Sequence, residues 1–287
     1  MTQPRSEVAL SRQRCRDALD RVRSELLDSR VPGGHWCGEL SASALSTATA
    51  VSALAAVLTN AAERADEEQL RRLIRVGMKY LRGQQNDDGG FGDTDRSHSN
   101  IATSYLVLAA SSLGEQAIGK GLPESQVAAL RRYIESSGEM DALRERYGTD
   151  KTFVVPILTN LAIAGLADWK SIPALPFEAA VFPQSMYRLL RMPVVSYAIP
   201  ALVAIGQARH FCGGRSLPPL GWIRSASVSR TMKVLRRMQP ESGGYLEATP
   251  LTSFVVMSLA ATGRADHEVA QSGLEFLIDS MDEQGLW

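Results

Sequence analysis

The sequence predicts an all-α fold, in the form of an α/α barrel built from two concentric rings of helices. Charged, amphipathic segments alternate along the chain with small, apolar ones, which is typical of helical-hairpin repeats. Glycine-aromatic turns recur between an amphipathic segment and the apolar segment that follows it. Strand signals are poor, because the short apolar runs are rich in alanine and leucine rather than in alternating β-branched residues.

The alternation can be followed element by element. An amphipathic helix is expected over 7–27, an uncharged inner helix over 41–58 and a charged outer helix over 66–82. The remaining predicted helices cover 100–113, 123–136, 152–166, 178–190, 195–210, 225–238, 251–261 and 267–281. An open stack of such hairpins requires polar capping repeats at its ends. Because no such cap is obvious, a closed ring is favoured over a solenoid.

The turns share one pattern, seen in LRGQQNDDGGFG, LRRMQPESGGYL and FLIDSMDEQGLW. A glutamine amide near the end of an outer helix can satisfy backbone groups of its own helix or of the next one. The glycines permit a tight left-handed reversal, so these residues are expected to be structural staples. A glycine-aromatic turn without glutamine, GGHW, lies near the N-terminus, and in the third turn Met281 replaces the glutamine. The predicted turn residues are Trp36, Gln85, Gly90, Phe91, Gln239, Gly244, Tyr245, Gly285 and Trp287.

These turns resemble the QW repeats of the squalene-hopene and oxidosqualene cyclase family, the class II triterpene cyclases. GGHWCGELSASALSTA, GGFGDTDRSHSNIATSYLVLAA, the Pro-x-x-Pro-x-Glu stretch at 173–178 and GGYLEATPLTSFVVMSLAATG occur in the family's order. The resemblance extends from Gly33 to Trp287, although Phe91 and Tyr245 stand where the family has tryptophan. It implies the terpenoid cyclase toroid as the fold.

The resemblance also implies a division of the chain. Family members have two α/α barrels, so residues 1–31 are expected to form a helix that packs on the neighbouring barrel. Residues 32–287 are expected to form the barrel that lacks the catalytic acid, incomplete at its C-terminus. Trp287 then falls inside the repeat that leads to the missing C-terminal barrel, which is the expected partner domain.

The implied chemistry is the proton-initiated cyclisation of a linear isoprenoid such as squalene, without a metal or organic cofactor. The family's acid comes from an Asp-x-Asp-Asp motif, and the nearest string here is Asp93-Thr94-Asp95-Arg96. The neighbouring Arg96 favours the ionised form of Asp95, which is the opposite of what an acid catalyst needs. We therefore expect that this chain contains no catalytic residue and is inactive by itself. Asp93, Asp95 and Glu39 are only weak candidates for a catalytic acid. Residues 93–100 are interpreted as a helix entry, with Asp95, Ser97 or Ser99 as the N-cap of the helix that begins near Asn100.

Composition argues against several other classes. Lys+Arg and Asp+Glu number 31 each, so the net charge is zero and nucleic acid is not an expected partner. The 3 cysteines (Cys15, Cys37 and Cys212) form neither a disulfide framework nor a CxxC pair, and a cytoplasmic location is expected. A zinc site like that of protein prenyltransferase β subunits is not supported, because the 4 histidines are scattered. His210 and His267 are expected at helix ends on the surface.

Residues 172–195 are apolar and interrupted by prolines, and two interpretations stay open. The segment can be a buried linker between hairpins. By resemblance, it can form a patch that enters one leaflet of the inner face of a membrane without spanning it, through Phe177, Val181, Phe182, Tyr187 and Leu190. A rival hypothesis for the whole chain is a stand-alone α/α-toroid module that binds a peptide or lipid.

Overall fold

The computed structural model describes residues 12–36, 41–61, 66–148, 151–182, 198–214, 217–282 and 286–287. The chain divides into two compact units, residues 1–41 and 42–287. Every regular element within the described ranges is a helix, apart from an isolated bridge between Ser43 and Thr94. The predicted all-α class is confirmed.

The first unit contains helix α1 (Arg12–Asp28) and the turn that follows it. All residues of α1 are exposed, including the apolar Leu19, Val22 and Leu26. The chain reverses at Gly34, whose φ is +83°, and the Arg30 guanidinium lies 5.6 Å from the centre of the Trp36 ring.

The second unit contains the remaining helices, joined by short connections and 3₁₀ turns. The helices are α2 (Ala44–Asn60), α3 (Glu67–Arg82), α4 (Ile101–Ile118), α5 (Glu124–Ser136), α6 (Glu139–Tyr147), α7 (Lys151–Ile163), α8 (Ile199–Cys212), α9 (Leu220–Met238), α10 (Thr249–Ala261) and α11 (Glu268–Asp279). The 3₁₀ turns are Trp169–Ser171, Phe177–Val181 and Tyr245–Glu247.

Among the described residues, α2, α4, α7, α8 and α10 form a closed inner ring. Each packs against the next in that order, and α10 packs back against α2. The amphipathic helices lie outside: α3 packs on α2 and α4, α5 on α4, α6 on α4 and α7, α9 on α8, and α11 on α10. The predicted double ring of an α/α barrel is therefore observed.

Residue size explains which helices are inner. Twelve residues of α2 are buried, and most of them are alanine, serine, threonine or valine, which permit close approach on all sides. The outer α3 instead buries one stripe at helical spacing, formed by Leu70, Leu73, Ile74, Gly77, Met78 and Leu81. A Cβ added at Gly77 would lie 2.5 Å from a methyl carbon of Val51, so this glycine lets α3 approach α2.

Side chains fill the interior of the inner ring. Asn160 of α7 donates through Nδ2 to Ser52 Oγ of α2 at 3.2 Å, although α4 separates these helices in the ring. Both residues are fully buried. A polar bond between non-adjacent inner helices indicates a packed core in this part of the barrel.

Two expectations about the helices are wrong. The helix predicted over 178–190 is replaced in its first part by the 3₁₀ turn Phe177–Val181, and residues 183–197 lie outside the described ranges. Helix α9 begins at Leu220 rather than at Ser225, directly after Pro219 at its N-cap, a position compatible with a helix start. The short α6 was not anticipated from the sequence at all.

Candidate functional site

The two glutamine turns make the same hydrogen bonds. The Nε2 atoms of Gln85 and Gln239 each donate to the carbonyl of the glycine four residues later, both at 2.9 Å. The same atoms also donate to Gln126 O of α5 and to Val269 O of α11, both at 3.0 Å. Each glutamine therefore ties the end of one outer helix to the start of the next outer helix, a longer-range link than the sequence suggested.

The paired glycines of these turns have distinct roles. Gly89 and Gly243 both have φ of +84°, a conformation that side-chain-bearing residues rarely adopt. Gly90 and Gly244 have ordinary φ values but no space for a side chain. An added Cβ would lie 2.6 Å from Ser99 at Gly90 and 2.4 Å from the Phe276 ring at Gly244.

The main chain of each turn aromatic holds the start of an inner helix. The N–H of Phe91 donates to Ser104 Oγ at 3.0 Å, and that of Tyr245 donates to Thr252 Oγ1 at 2.9 Å. Their carbonyls accept from the N-cap N–H of α4 and α10 at 2.9 and 3.1 Å. In both cases the hydroxyl residue lies four positions after the N-cap.

The turn that ends in Trp287 makes the same bonds with α2, at the other end of the unit. The Trp287 N–H faces Thr47 Oγ1 at 3.4 Å, and its carbonyl accepts from Ser43 N at 3.2 Å. Ser43 is the N-cap of α2, and Thr47 lies four positions later. The inner helix expected to follow Trp287 is thus supplied by α2, and these contacts close the ring across 240 residues of sequence.

In three turns the indole N–H or hydroxyl of the aromatic residue donates to the main-chain carbonyl ten residues earlier, in the last turn of the preceding helix. The Trp287 indole donates to Leu277 O at 2.6 Å, the Tyr245 hydroxyl to Leu235 O at 3.0 Å, and the Trp36 indole to Leu26 O at 2.5 Å. Burial raises the pKa of Tyr245. Phe91 is fully buried in the equivalent position, Met281 packs against the core, and Gly285 lies outside the described residues.

Asp93 is part of a structural link between two inner helices. Its Oδ1 accepts from Asn100 Nδ2 at 2.8 Å and from the Thr103 hydroxyl, and its main-chain carbonyl accepts from Ser43 Oγ at 2.9 Å. The carboxylate supports the start of α4, and the carbonyl supports the start of α2. These contacts give Asp93 a structural role in positioning both N-termini.

The N-cap of α4 differs from the predicted one. Asn100 Oδ1 accepts from Thr103 N at 3.0 Å, so Asn100 is the cap and the expectation of Asp95, Ser97 or Ser99 is wrong. Asp95 is half-exposed and faces the Arg96 guanidinium at 3.9 Å. The third weak acid candidate, Glu39, lies outside the described residues.

A buried ion pair fixes the Pro-x-x-Pro-x-Glu stretch to α9. Arg224 Nε lies 3.1 Å from Glu178 Oε1 and 3.2 Å from Oε2, and these side chains are only 8% and 16% exposed. Arg209 of α8 donates to Ile172 O at 3.0 Å at the other end of the stretch. Sequence reasoning treated the glutamate as part of a motif without finding its partner, which lies 46 residues later.

Phe177 is wrongly assigned to the membrane patch. It is 2% exposed, because it packs against α8 at Gly206, where an added Cβ would lie 2.8 Å from the Phe177 Cβ. Val181 is half-buried, whereas Phe182 is 51% exposed. Tyr187 and Leu190 lie outside the described residues.

Exposed apolar side chains do occur at the start of α9, which the sequence analysis did not select. Leu217, Trp222 and Ile223 are 83%, 71% and 55% exposed, and Leu220 is 43% exposed. The ion pair fixes the 3₁₀ turn that precedes Phe182 to α9, the helix that carries Trp222. We call Phe182, Leu217, Leu220, Trp222 and Ile223 the apolar patch.

The histidines are placed in two different ways. His267 is the N-cap of α11, where its Nδ1 accepts from Val269 N at 3.2 Å. His210 is buried rather than at the surface as expected, with Nε2 3.2 Å from Ser225 Oγ. Within the part of the chain that the structure describes, no three histidine, cysteine or acidic residues cluster as metal ligands would, and no helix has both the length and the hydropathy to cross a bilayer.

Comparisons with known proteins agree with this architecture. The family model of the squalene-hopene cyclase N-terminal domain matches residues 19–205. A squalene hopane cyclase, afumA, of Aspergillus fumigatus is 29% identical over 164 residues, which cover 54% of this chain and 19% of that protein. The chain therefore spans about a fifth of the length of that curated relative. With the helical ring, the repeated turns and this match over more than half of its length, the chain belongs to the squalene-hopene cyclase family.

Proposed function

We propose that this chain is the barrel without the catalytic acid of a squalene-hopene-type cyclase. The intact enzyme protonates and cyclises a linear isoprenoid such as squalene, with no metal or organic cofactor. The observation that carries the proposal is the repeated turn, whose glutamines and aromatics hold a closed ring of helices. The candidate acids agree with it, because Asp93 is engaged in structural bonds and Asp95 faces Arg96.

The chain's role in that enzyme is structural. Its barrel supplies scaffold and one wall of the substrate cavity, and a C-terminal barrel supplies the Asp-x-Asp-Asp acid. The exposed apolar residues Leu19, Val22 and Leu26 recur along one side of α1. Such a stripe supports the proposal that α1 packs on the C-terminal barrel.

The test compares the 287-residue chain with the longer protein that the parent reading frame encodes when any codons after Trp287 are included. Both are incubated with squalene, and polycyclic products are detected by gas chromatography and mass spectrometry. The proposal expects an Asp-x-Asp-Asp motif downstream, product from the longer protein and none from the chain alone. Product from the chain alone, or a downstream sequence without the acid motif, contradicts it.

A second candidate is favoured by one observation. The contacts of Trp287 with Ser43 and Thr47 close the ring without a further repeat, as a stand-alone α/α-toroid binding module requires. A stop codon directly after Trp287 in the parent gene would favour this module over the cyclase.

Peripheral attachment to the inner face of a membrane belongs to the same proposal. The apolar patch supports it, because tryptophan and aliphatic side chains enter the boundary between headgroups and acyl chains. Flotation of the chain with liposomes tests this after Phe182→Glu and Trp222→Glu. The matched control is Phe153→Glu, since Phe153 is 49% exposed on α7. We expect Phe182→Glu and Trp222→Glu to lose flotation and Phe153→Glu to keep it. The assignment of the apolar patch to the membrane is contradicted if all the proteins float equally, or if the unaltered chain does not float.

A further inference from the structure

Helix α9 carries an unusual distribution of charge. Its 19 residues, LGWIRSASVSRTMKVLRRM, include no aspartate or glutamate. Arg224 is buried in the ion pair with Glu178, while the basic residues nearer the C-terminal end are exposed. We call Arg230, Lys233, Arg236 and Arg237 the cationic face.

The cationic face and the apolar patch continue into each other. At 100° per residue, Trp222, Arg230, Lys233 and Arg237 lie on one side of α9. Lys233 follows Trp222 by eleven residues, which is about 16 Å along the axis at 1.5 Å per residue. An exposed apolar end that continues into the basic face of a helix without carboxylates is the arrangement of interfacial segments that bind anionic lipids.

The cationic face also borders a groove of about 510 Å³ between α9 and α11. Lys233, Arg236, Arg264 and His267 line it, together with one carboxylate, Glu268, whose Oε2 lies 3.7 Å from Arg236 Nε. The Arg264 guanidinium is held 4.6 Å from the centre of the Phe211 ring. Lys233, Arg236 and Arg264 outnumber the one carboxylate among the lining residues, so the groove favours an anion.

We infer that the exposed face of α9 binds the phosphate groups of anionic phospholipids, with the apolar patch entering the same membrane surface. This inference rests on the membrane contact in the proposed function and adds a lipid class to it. With the Trp222 end inserted and the helix inclined to the surface, Arg230 and Lys233 reach the phosphate level, and the groove at Lys233 and Arg236 accepts a headgroup.

The test is flotation of the full 287-residue chain with two kinds of vesicle. One kind is phosphatidylcholine alone, and the other is phosphatidylcholine with phosphatidylglycerol. Each lysine or arginine near an anionic surface strengthens binding by about fivefold, corresponding to roughly 1 kcal/mol per residue. We expect at least tenfold stronger binding to the anionic vesicles and loss of that preference in the variant R230Q/K233Q/R236Q/R237Q.

The matched control is R72Q/K79Q/R131Q/R132Q, which removes the same charge from exposed positions of α3 and α5. It should keep the preference for anionic vesicles, and circular dichroism verifies that both variants are folded. A further arm compares inorganic phosphate with sodium chloride at equal ionic strength. Both should weaken binding equally if lipid is the ligand.

The outcomes separate this inference from the proposed function. Equal binding to both vesicle types, or equal losses in the two charge variants, overturns lipid recognition by α9 but leaves membrane contact in place. Selective displacement by inorganic phosphate identifies a free anion as the ligand and also overturns the inference. Absence of binding to either vesicle removes the inference and the proposed membrane contact, while the cyclase assignment is decided by the product assay.

Discussion

Replacing Trp287 with alanine should destabilise the ring more than any other tryptophan replacement among the described residues of unit 42–287. The indole donates to Leu277 O at 2.6 Å, and a Cβ added at Gly77 would lie 3.4 Å from its ring. Truncation of a fully buried large aromatic costs about 3–5 kcal/mol. Since Trp287 is half-buried, we expect about 3 kcal/mol, including about 1 kcal/mol for the lost hydrogen bond.

The assay is thermal and urea unfolding of the full chain followed by circular dichroism. A loss of about 3 kcal/mol corresponds to a fall in Tm of roughly 6–12 °C in a domain of this size. Trp287→Phe keeps an aromatic side chain but removes the indole N–H that donates to Leu277 O, so it should cost about 1 kcal/mol. Trp222→Ala is the matched control, because Trp222 is 71% exposed, and its cost should be within about 0.5 kcal/mol. Equal, small shifts for Trp287→Ala and Trp222→Ala would refute closure of the ring by this side chain.

Three other outcomes can be checked by unfolding experiments. Gly243→Ala should destabilise the chain by several kcal/mol, because the added Cβ would lie 2.1 Å from a carbonyl oxygen of α11. Gly119 also has positive φ but no neighbouring atom within 4 Å of an added Cβ, so Gly119→Ala should cost only about 1 kcal/mol. Equal losses of stability in the two variants would contradict the role of the close contact at Gly243. Glu178→Gln or Arg224→Met alone should cost about 3 kcal/mol, and the double variant less than the sum; additivity in the double-mutant cycle would exclude coupling. Burial raises the pKa of Tyr105 from 10.0 to about 12, so the stabilising contribution of its neutral form is complete below pH 10 and is lost as the pH rises towards 12. Absorbance titration near 295 nm and unfolding from pH 9 to 12 check this, with Tyr105→Phe as the control. A titration of Tyr105 at its ordinary pKa would disprove the prediction.

The architecture was predictable because its signals are local. The uncharged helix α2 and the one-sided α3 follow from residue size and helical spacing, which are visible in any short window of sequence. The recurrence of glycine and aromatic residues around Gln85 and Gln239 indicates a common turn. These features specify the outer-inner order, and the order favours a ring.

The partners of the turn residues were not predictable in the same way, because they are distant in sequence. Gln239 was expected to satisfy groups of its own or the next helix, yet it reaches Val269, 30 residues later. The family resemblance placed Phe177 in a membrane patch, but its side chain is buried against α8 at Gly206, a position that has no side chain of its own. The apolar patch was missed because Leu217, Trp222 and Ile223 precede the predicted helix 225–238, and their exposure depends on the folded arrangement.

The contact between Ser43 and Trp287 has a consequence for how the barrel can be connected. Since these positions are hydrogen-bonded, a short peptide could join them, and new termini could be opened at the exposed turn around Gly119. Such a circular permutant would retain every helix pair of the ring. The inner helices thus form a cycle in which any member can come first in the polypeptide.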